Sequence, residues 1–159
     1  MLVPLFAADG EIGVVLTQRT EHLRRHSGQV AFPGGGWEPG DATLEDTALR
    51  ESYEEIGLDP THVEVLGAMD DVPTVGSDYM VRPFVGRIPY PYEFVPDPHE
   101  VDRIILPPLS LFADVTRRRE ETREREGRVY SVYFFDFEGA VVWGATARML
   151  VSLVEKLGG

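Results

Sequence analysis

Three consecutive glycines, Gly34-Gly35-Gly36, follow Phe32-Pro33 and stand just ahead of the most regular amphipathic stretch in the chain. Such a run has a backbone freedom that neither a helix nor a strand selects, so it marks a loop. From Asp41 to Leu58 the pattern turns helical. Asp41 or Thr43 can cap the first amides, and Gly57 sits where a left-handed C-cap is wanted. Before this unit, Met1 to Ala7 reads as a strand, Asp9-Gly10-Glu11 as a turn and Ile12 to Leu16 as a returning strand. After it, Val63 to Leu66, Tyr79 to Ile88 and Val129 to Phe137 are strand-like, and Val101 to Leu106 suits either a strand or a short helix. Pro89, Pro91, Pro96 and Pro98 make their stretch a loop. Gly144 to Leu157 closes the chain as an amphipathic helix, with Met149, Leu150, Leu153, Val154 and Leu157 at helical spacing. Two helices among strands, the first strands forming a hairpin, imply a mixed α/β (α+β) fold in which a mixed sheet is sandwiched between helices.

A length of 159 residues suits a single domain, 1–159. The chain has 27 acidic side chains against 15 Lys plus Arg, a formal net charge of -12. A surface of this sign repels phosphate backbones, which argues against nucleic-acid binding. A small phosphorylated ligand then needs a local arginine cluster or a bridging cation. The absence of cysteine removes disulfides, thiolate nucleophiles and thiolate zinc sites together. No apolar run approaches the ~20 residues of a membrane span, and the opening segment lacks a signal-peptide core, so the expected location is cytoplasmic.

Chemistry concentrates on the first helix. At about 100° per residue, taking Glu51 as origin, Glu54 falls near -60° and Glu55 near +40°, so three carboxylates share one arc. Leu49, Tyr53 and Ile56 fall on the opposite side and are the expected buried stripe. Arg50 can pair with Glu54. Spacing alone is compatible with a solvated acidic face, the commoner origin of a glutamate cluster, and with a site for a hard cation such as Mg²⁺ or Mn²⁺.

The text around these glutamates carries more. Phe32-Pro33-Gly34-Gly35-Gly36, followed one loop later by Arg50-Glu51-Ser52-Tyr53-Glu54-Glu55-Ile56-Gly57-Leu58, closely resembles the loop–helix–loop signature of the Nudix hydrolases, G-x5-E-x7-R-E-U-x-E-E-x-G-U. The resemblance implies a Nudix hydrolase domain in which Glu51, Glu54 and Glu55 hold Mg²⁺ or Mn²⁺ against a substrate diphosphate. Two positions depart from it. Asp41 stands where the first acid of the signature belongs when counted from Gly35, but one residue too far from Arg50, the strictly spaced position being Ala42. Ser52 replaces an aliphatic residue. The off-register spacing weakens the expectation that Asp41 orients the loop or pairs with Arg50.

Upstream, Leu16-Thr17-Gln18-Arg19 through Leu23-Arg24-Arg25-His26-Ser27-Gly28-Gln29 to Phe32-Pro33-Gly34-Gly35 is similar to a segment of the coenzyme A diphosphatase branch of that family. Val142-Trp143-Gly144-Ala145-Thr146-Ala147 resembles that branch's last helix start. The implied reaction is metal-dependent hydrolysis of the diphosphate of coenzyme A or its derivatives. The alternatives are ADP-ribose or another nucleoside diphosphate derivative as substrate, or a non-catalytic ligand sensor on the same scaffold. Arg19, Arg24, Arg25 and His26 concentrate positive charge ahead of the glycine loop, and guanidinium forks suit phosphate oxygens. An Arg-rich loop paired with acids such as Glu21 explains them equally well. Gly34 and Gly35 would let the backbone approach the diphosphate. The resemblance also implies an extra acid in the proline-rich loop, so Glu100, in Asp97-Pro98-His99-Glu100-Val101, is a second candidate for metal ligand or general base beside the signature glutamates, with Glu93, Asp97 and Asp102 as neighbours of equal chemistry. Trp143 is expected in the core at a helix start, with adenine stacking as the alternative. The mixed-sign run Arg117 to Glu126 reads as a solvated hairpin tip or loop, with a homodimer contact or a phosphate clamp as alternatives.

Overall fold

The Asp9-Gly10 turn closes the expected hairpin: both residues take left-handed backbone, with φ of 52° and 80°, joining β1 (Leu2–Ala8) to β2 (Glu11–Val14). These features come from a computed structural model that describes residues 1–22, 27–74 and 79–158. Further along the chain lie β3 (Leu16–Arg19), β4 (Val30–Ala31), α1 (Leu44–Ile56), β5 (Glu64–Ala68), β6 (Val72–Pro73), β7 (Met80–Val81) and β8 (Phe84–Arg87). They are followed by β9 (Val101–Ile105), α2 (Ser110–Ala113), β10 (Arg119–Arg125), β11 (Arg128–Phe137), β12 (Ala140–Trp143) and α3 (Gly144–Gly158).

The result is a mixed α+β fold. One sheet has the order β2-β1-β8-β5, with β1 parallel to β8 and the other pairs antiparallel. A second, antiparallel sheet has the order β4-β3-β9, and β10-β11-β12 form an antiparallel meander. Alternate side chains of β1 enter opposite cores. Leu2 and Phe6 pack with Ala48 and Ile56 of α1, whereas Val3 and Leu5 join the cluster containing Met149, Leu150 and Leu153 of α3. The two long helices therefore cover opposite faces of β1, which explains its unbroken apolar run from Leu2 to Phe6.

Several expectations change. The first helix starts at Leu44, because Thr43 and not Asp41 is the N-cap. Residues 101–105 are a strand, paired with β3. The Tyr79–Ile88 stretch is divided between β7 and β8, with Pro83 between them. Most of the Arg117–Glu126 run is a paired strand, β10; only Glu126-Gly127 forms the tip, at φ of 53° and 75°. Leu157, expected on the buried face of α3, is exposed near the end of that helix.

Candidate active site

α1 is locally well specified. Thr43 Oγ1 accepts from the Asp46 amide at 3.1 Å while the Asp46 carboxylate accepts from the Thr43 amide at 2.9 Å, a reciprocal capping box. Gly57 ends the helix at φ 67°, its amide donating to Tyr53 and Ser52 carbonyls. The buried face differs from the expected one. It consists of Thr47, Ala48, Ser52, Glu55 and Ile56, and Tyr53 is 58% exposed. On the helical wheel this arc centres near +70°, on the Glu55 side of Glu51, so Glu55 lies closer to its middle than Glu51 does, and Glu54 falls outside. The reason is tertiary. The sheet offers Leu2, Phe6 and Val15 to α1, and the helix turns the small residues Ala48 and Ser52 onto them, with the Ser52 hydroxyl satisfied by the Ala48 carbonyl at 2.7 Å.

The three signature glutamates consequently fan from interior to solvent. Glu55 is 4% exposed, Glu51 is partly buried and Glu54 is exposed. The glycine loop lies against the first two. The Gly34 amide donates to Glu55 Oε2 at 3.4 Å, and a Cβ on Gly35 would overlap the Glu51 carboxylate. A Cβ on Gly34 would stand 2.8 Å from the Cα of Met1. None of Gly34, Gly35 and Gly36 takes a left-handed φ, so close approach, rather than unusual backbone geometry, requires the first two.

Arg50 ties the loop to the helix. Its Nε and Nη2 donate to the two Asp41 oxygens at 2.8 and 2.9 Å, Nη2 also donates to the Gly36 carbonyl at 3.0 Å, and Nη1 reaches Glu51 and Glu54 at 3.2 Å. Asp41 further accepts from the Thr47 hydroxyl at 2.8 Å and the Glu38 amide at 3.0 Å. The Arg50 guanidinium holds the Asp41 carboxyl well below the usual carboxylate range. The weakened expectation for Asp41 is thus corrected. The extra residue is taken up where the loop enters the helix, and the acid still meets Arg50 side-on.

The electrostatics of the inner pair run the other way. Burial, then the charge of Glu51, push the Glu55 carboxyl up to about 8, with Glu100 adding to the rise, against a lowering hydrogen bond from Gly34 and the charge of Arg19. Burial likewise raises Glu51, opposed by Arg50. Glu100 is brought near by the proline-rich loop, which docks on the end of α1 through Val95 N to Ile56 O and Asp97 N to Glu55 O, at 2.9 and 2.8 Å. From there its charge acts on both Glu51 and Glu55. Among the described residues Glu55 has no Lys or Arg ion-pair partner, and no group of three His, Asp or Glu side chains is already gathered around one point. Two crowded carboxylates, one with no such cationic partner and the other sharing Arg50 with Asp41 and Glu54, are a donor set that fits a hard divalent cation, which binds through oxygen and retains water.

Beside them opens a cleft of about 430 Å³ bounded by Arg19, Phe32, Gly34, Arg123, Trp143 and Arg148, among others. Arg19 Nε is buried without a hydrogen-bond partner. Arg24, Arg25 and His26 lie outside the described residues. Trp143 is not in the core: half-buried, it lines the cleft with its ring parallel to Phe134 at 5.9 Å. Arg148 escaped the sequence reading because its only signal is a position one turn into α3; Arg123 stood in the mixed-sign run.

A family model described as NUDIX domain matches residues 1–129. The chain is 35% identical over 158 residues to a protein named uncharacterized Nudix hydrolase NudL from Enterobacter sp. (strain 638), covering 99% of this chain and 81% of that one. Among solved structures it resembles a MutT protein from Methanosarcina mazei Go1, with a TM-score of 0.62 and 17% identity over 99% of this chain and 92% of that one. It also resembles an Ap4A hydrolase from C. elegans, with a TM-score of 0.58 and 19% identity over 69% of this chain and 78% of that one.

Proposed function

This chain belongs to the Nudix hydrolases, enzymes that act on phosphorus-containing anhydrides with the help of divalent metal ions, and from that premise we propose that it hydrolyses the diphosphate linkage of coenzyme A or a derivative. The products would be 4′-phosphopantetheine and adenosine 3′,5′-bisphosphate. The observation that carries the metal-dependent reaction is the inner pair: Glu55 buried beside Glu51, both pressed by the Gly34–Gly35 backbone, with Glu55 lacking an ion-pair partner among the described residues and Glu51 sharing Arg50 with Asp41 and Glu54. The coenzyme A assignment is supported by the Leu16–Gly35 and Val142–Ala147 segments and by arginine at the mouth of the adjacent cleft.

Glu51, Glu54 and Glu55 would hold magnesium or manganese. A bound cation offsets charge on the diphosphate oxygens and lowers the pKa of water. The chain's own residues do the remainder. Gly34 and Gly35 let the diphosphate approach the carboxylates, and Arg19, with Arg24, Arg25 and His26, would pair with phosphate oxygens. Arg50, fixed by Asp41, keeps the loop and the glutamates in register. Water attacks one phosphorus, the bridging P–O bond breaks, and the water's proton passes to a carboxylate, for which we assign Glu100. The leaving phosphate takes the bridging oxygen, so two phosphate monoesters result.

The test is a steady-state comparison of coenzyme A with ADP-ribose under Mg²⁺ and Mn²⁺. A higher kcat/KM for coenzyme A is expected; the reverse order transfers the assignment to ADP-ribose or a related nucleoside diphosphate. Glu55→Gln should lower kcat by about 10²–10⁴-fold with an unchanged circular dichroism spectrum. Full activity in that variant would remove the metal-site assignment.

A further inference from the structure

The cleft beside the carboxylates is charged against the character of the whole protein. In a chain of formal net charge -12, its walls hold, among the described residues, Arg19, Arg123 and Arg148 and no aspartate or glutamate. The three arginines arrive from separate elements, β3, β10 and α3. On β10, the Glu121 carboxylate accepts from both Arg119 at 2.7 Å and Arg123 at 3.2 Å, so one anion faces two cations and a positive charge is left over. Arg148 is exposed and has no ion-pair partner among the described residues. Trp143 lines the same wall, with the Arg123 guanidinium 5.9 Å from its ring. The first turn of α3, which also borders the cleft, carries no acidic residue, so the helix dipole adds to the positive field.

An aromatic wall with guanidinium groups in excess of the acids that pair them suits a planar base joined to a phosphate ester. A neutral thiol arm entering this space would desolvate the arginines without pairing them. Arg19 stands at the carboxylate end, where its charge acts on Glu55, so Arg123 and Arg148 are left for another group. We propose that the cleft takes the nucleoside end of the substrate, with Trp143 flanking the base and Arg123 and Arg148 selecting a phosphate monoester on the ribose. This rests on the diphosphatase reading above and adds which end of the substrate enters and what it must carry.

The experiment is calorimetric titration of metal-free protein with adenosine 3′,5′-bisphosphate and, separately, AMP, for wild type, Arg123→Gln and Arg148→Gln. Both side chains are on the surface, so the variants should fold. Wild type is expected to bind the bisphosphate about tenfold or more tighter than AMP, and each variant to lose most of that preference while its AMP affinity stays within about twofold. Equal binding of the two nucleotides by wild type, or a preference surviving both substitutions, overturns the proposal even if coenzyme A is hydrolysed. Loss of preference in the variants, in a protein that does not hydrolyse coenzyme A, upholds the cleft assignment and removes only the substrate reading.

Discussion

Glu55 and Asp41 are two acids of one site with opposite electrostatic fates, and each makes a distinct demand on pH. Asp41 is held ionised by Arg50, so its contribution to stability is present above the ordinary carboxylate range and is lost only in strong acid. Glu55 is raised from 4.5 to about 8, chiefly by burial. Its folded form therefore binds a proton that the unfolded chain has released, and stability contributed below pH 4.5 is lost as pH rises through about 8. In EDTA, the Tm of wild type should fall across that window and the fall should flatten in Glu55→Gln; equal slopes would contradict the burial argument. Gly35 provides a second check. A methyl group there meets the movable end of Glu51, so Gly35→Ala should change stability by less than about 1 kcal/mol yet cost about a hundredfold in turnover by displacing the acid. Retained activity together with lost stability would reverse the reading.

At the level of elements, the glycine loop, α1 and the proline-rich loop form one unit. Asp41–Arg50 closes its front, and the amides of Val95 and Asp97 close its back on the last carbonyls of α1. The capping box at Thr43 sets where the helix begins, and with it the angular position of every glutamate. Thr43→Ala should destabilise the protein by about 0.5–2 kcal/mol, read from denaturant midpoints at constant m value. Because the Asp41–Arg50 clamp is separate from the cap, KM should stay near wild type; a large KM change would mean that cap and clamp act as one. Gly57 and the helix before it were legible beforehand, and the N-cap was narrowed to Asp41 or Thr43, because capping and termination depend on neighbours within a few residues. The division of residues 79–88 into two strands and the pairing of β10 were less so, since strand pairing depends on partners far along the chain.

Over the whole molecule, a net charge of -12 makes any added salt favourable to the compact state by screening, and a metal effect has to be separated from that background. Millimolar Mg²⁺ should raise Tm more than NaCl of equal ionic strength, and Glu55→Gln should abolish the excess; an excess that persists would place the cation elsewhere. None of the helices among the described residues is long and apolar enough to cross a membrane. The mixed fold follows from segment order and apolar periodicity, and the glutamate trio from helical spacing, since both are properties of the chain taken a few residues at a time. Tertiary packing decided the rest. Spacing places Glu51, Glu54 and Glu55 on one arc but leaves open which edge of that arc meets a neighbour. The sheet chose Ala48 and Ser52, and so sank Glu55 and left Tyr53 in solvent. In the same way Arg19, Arg123 and Arg148 share a wall only because elements distant in sequence are folded against one another, and burial and field depend on distance in space.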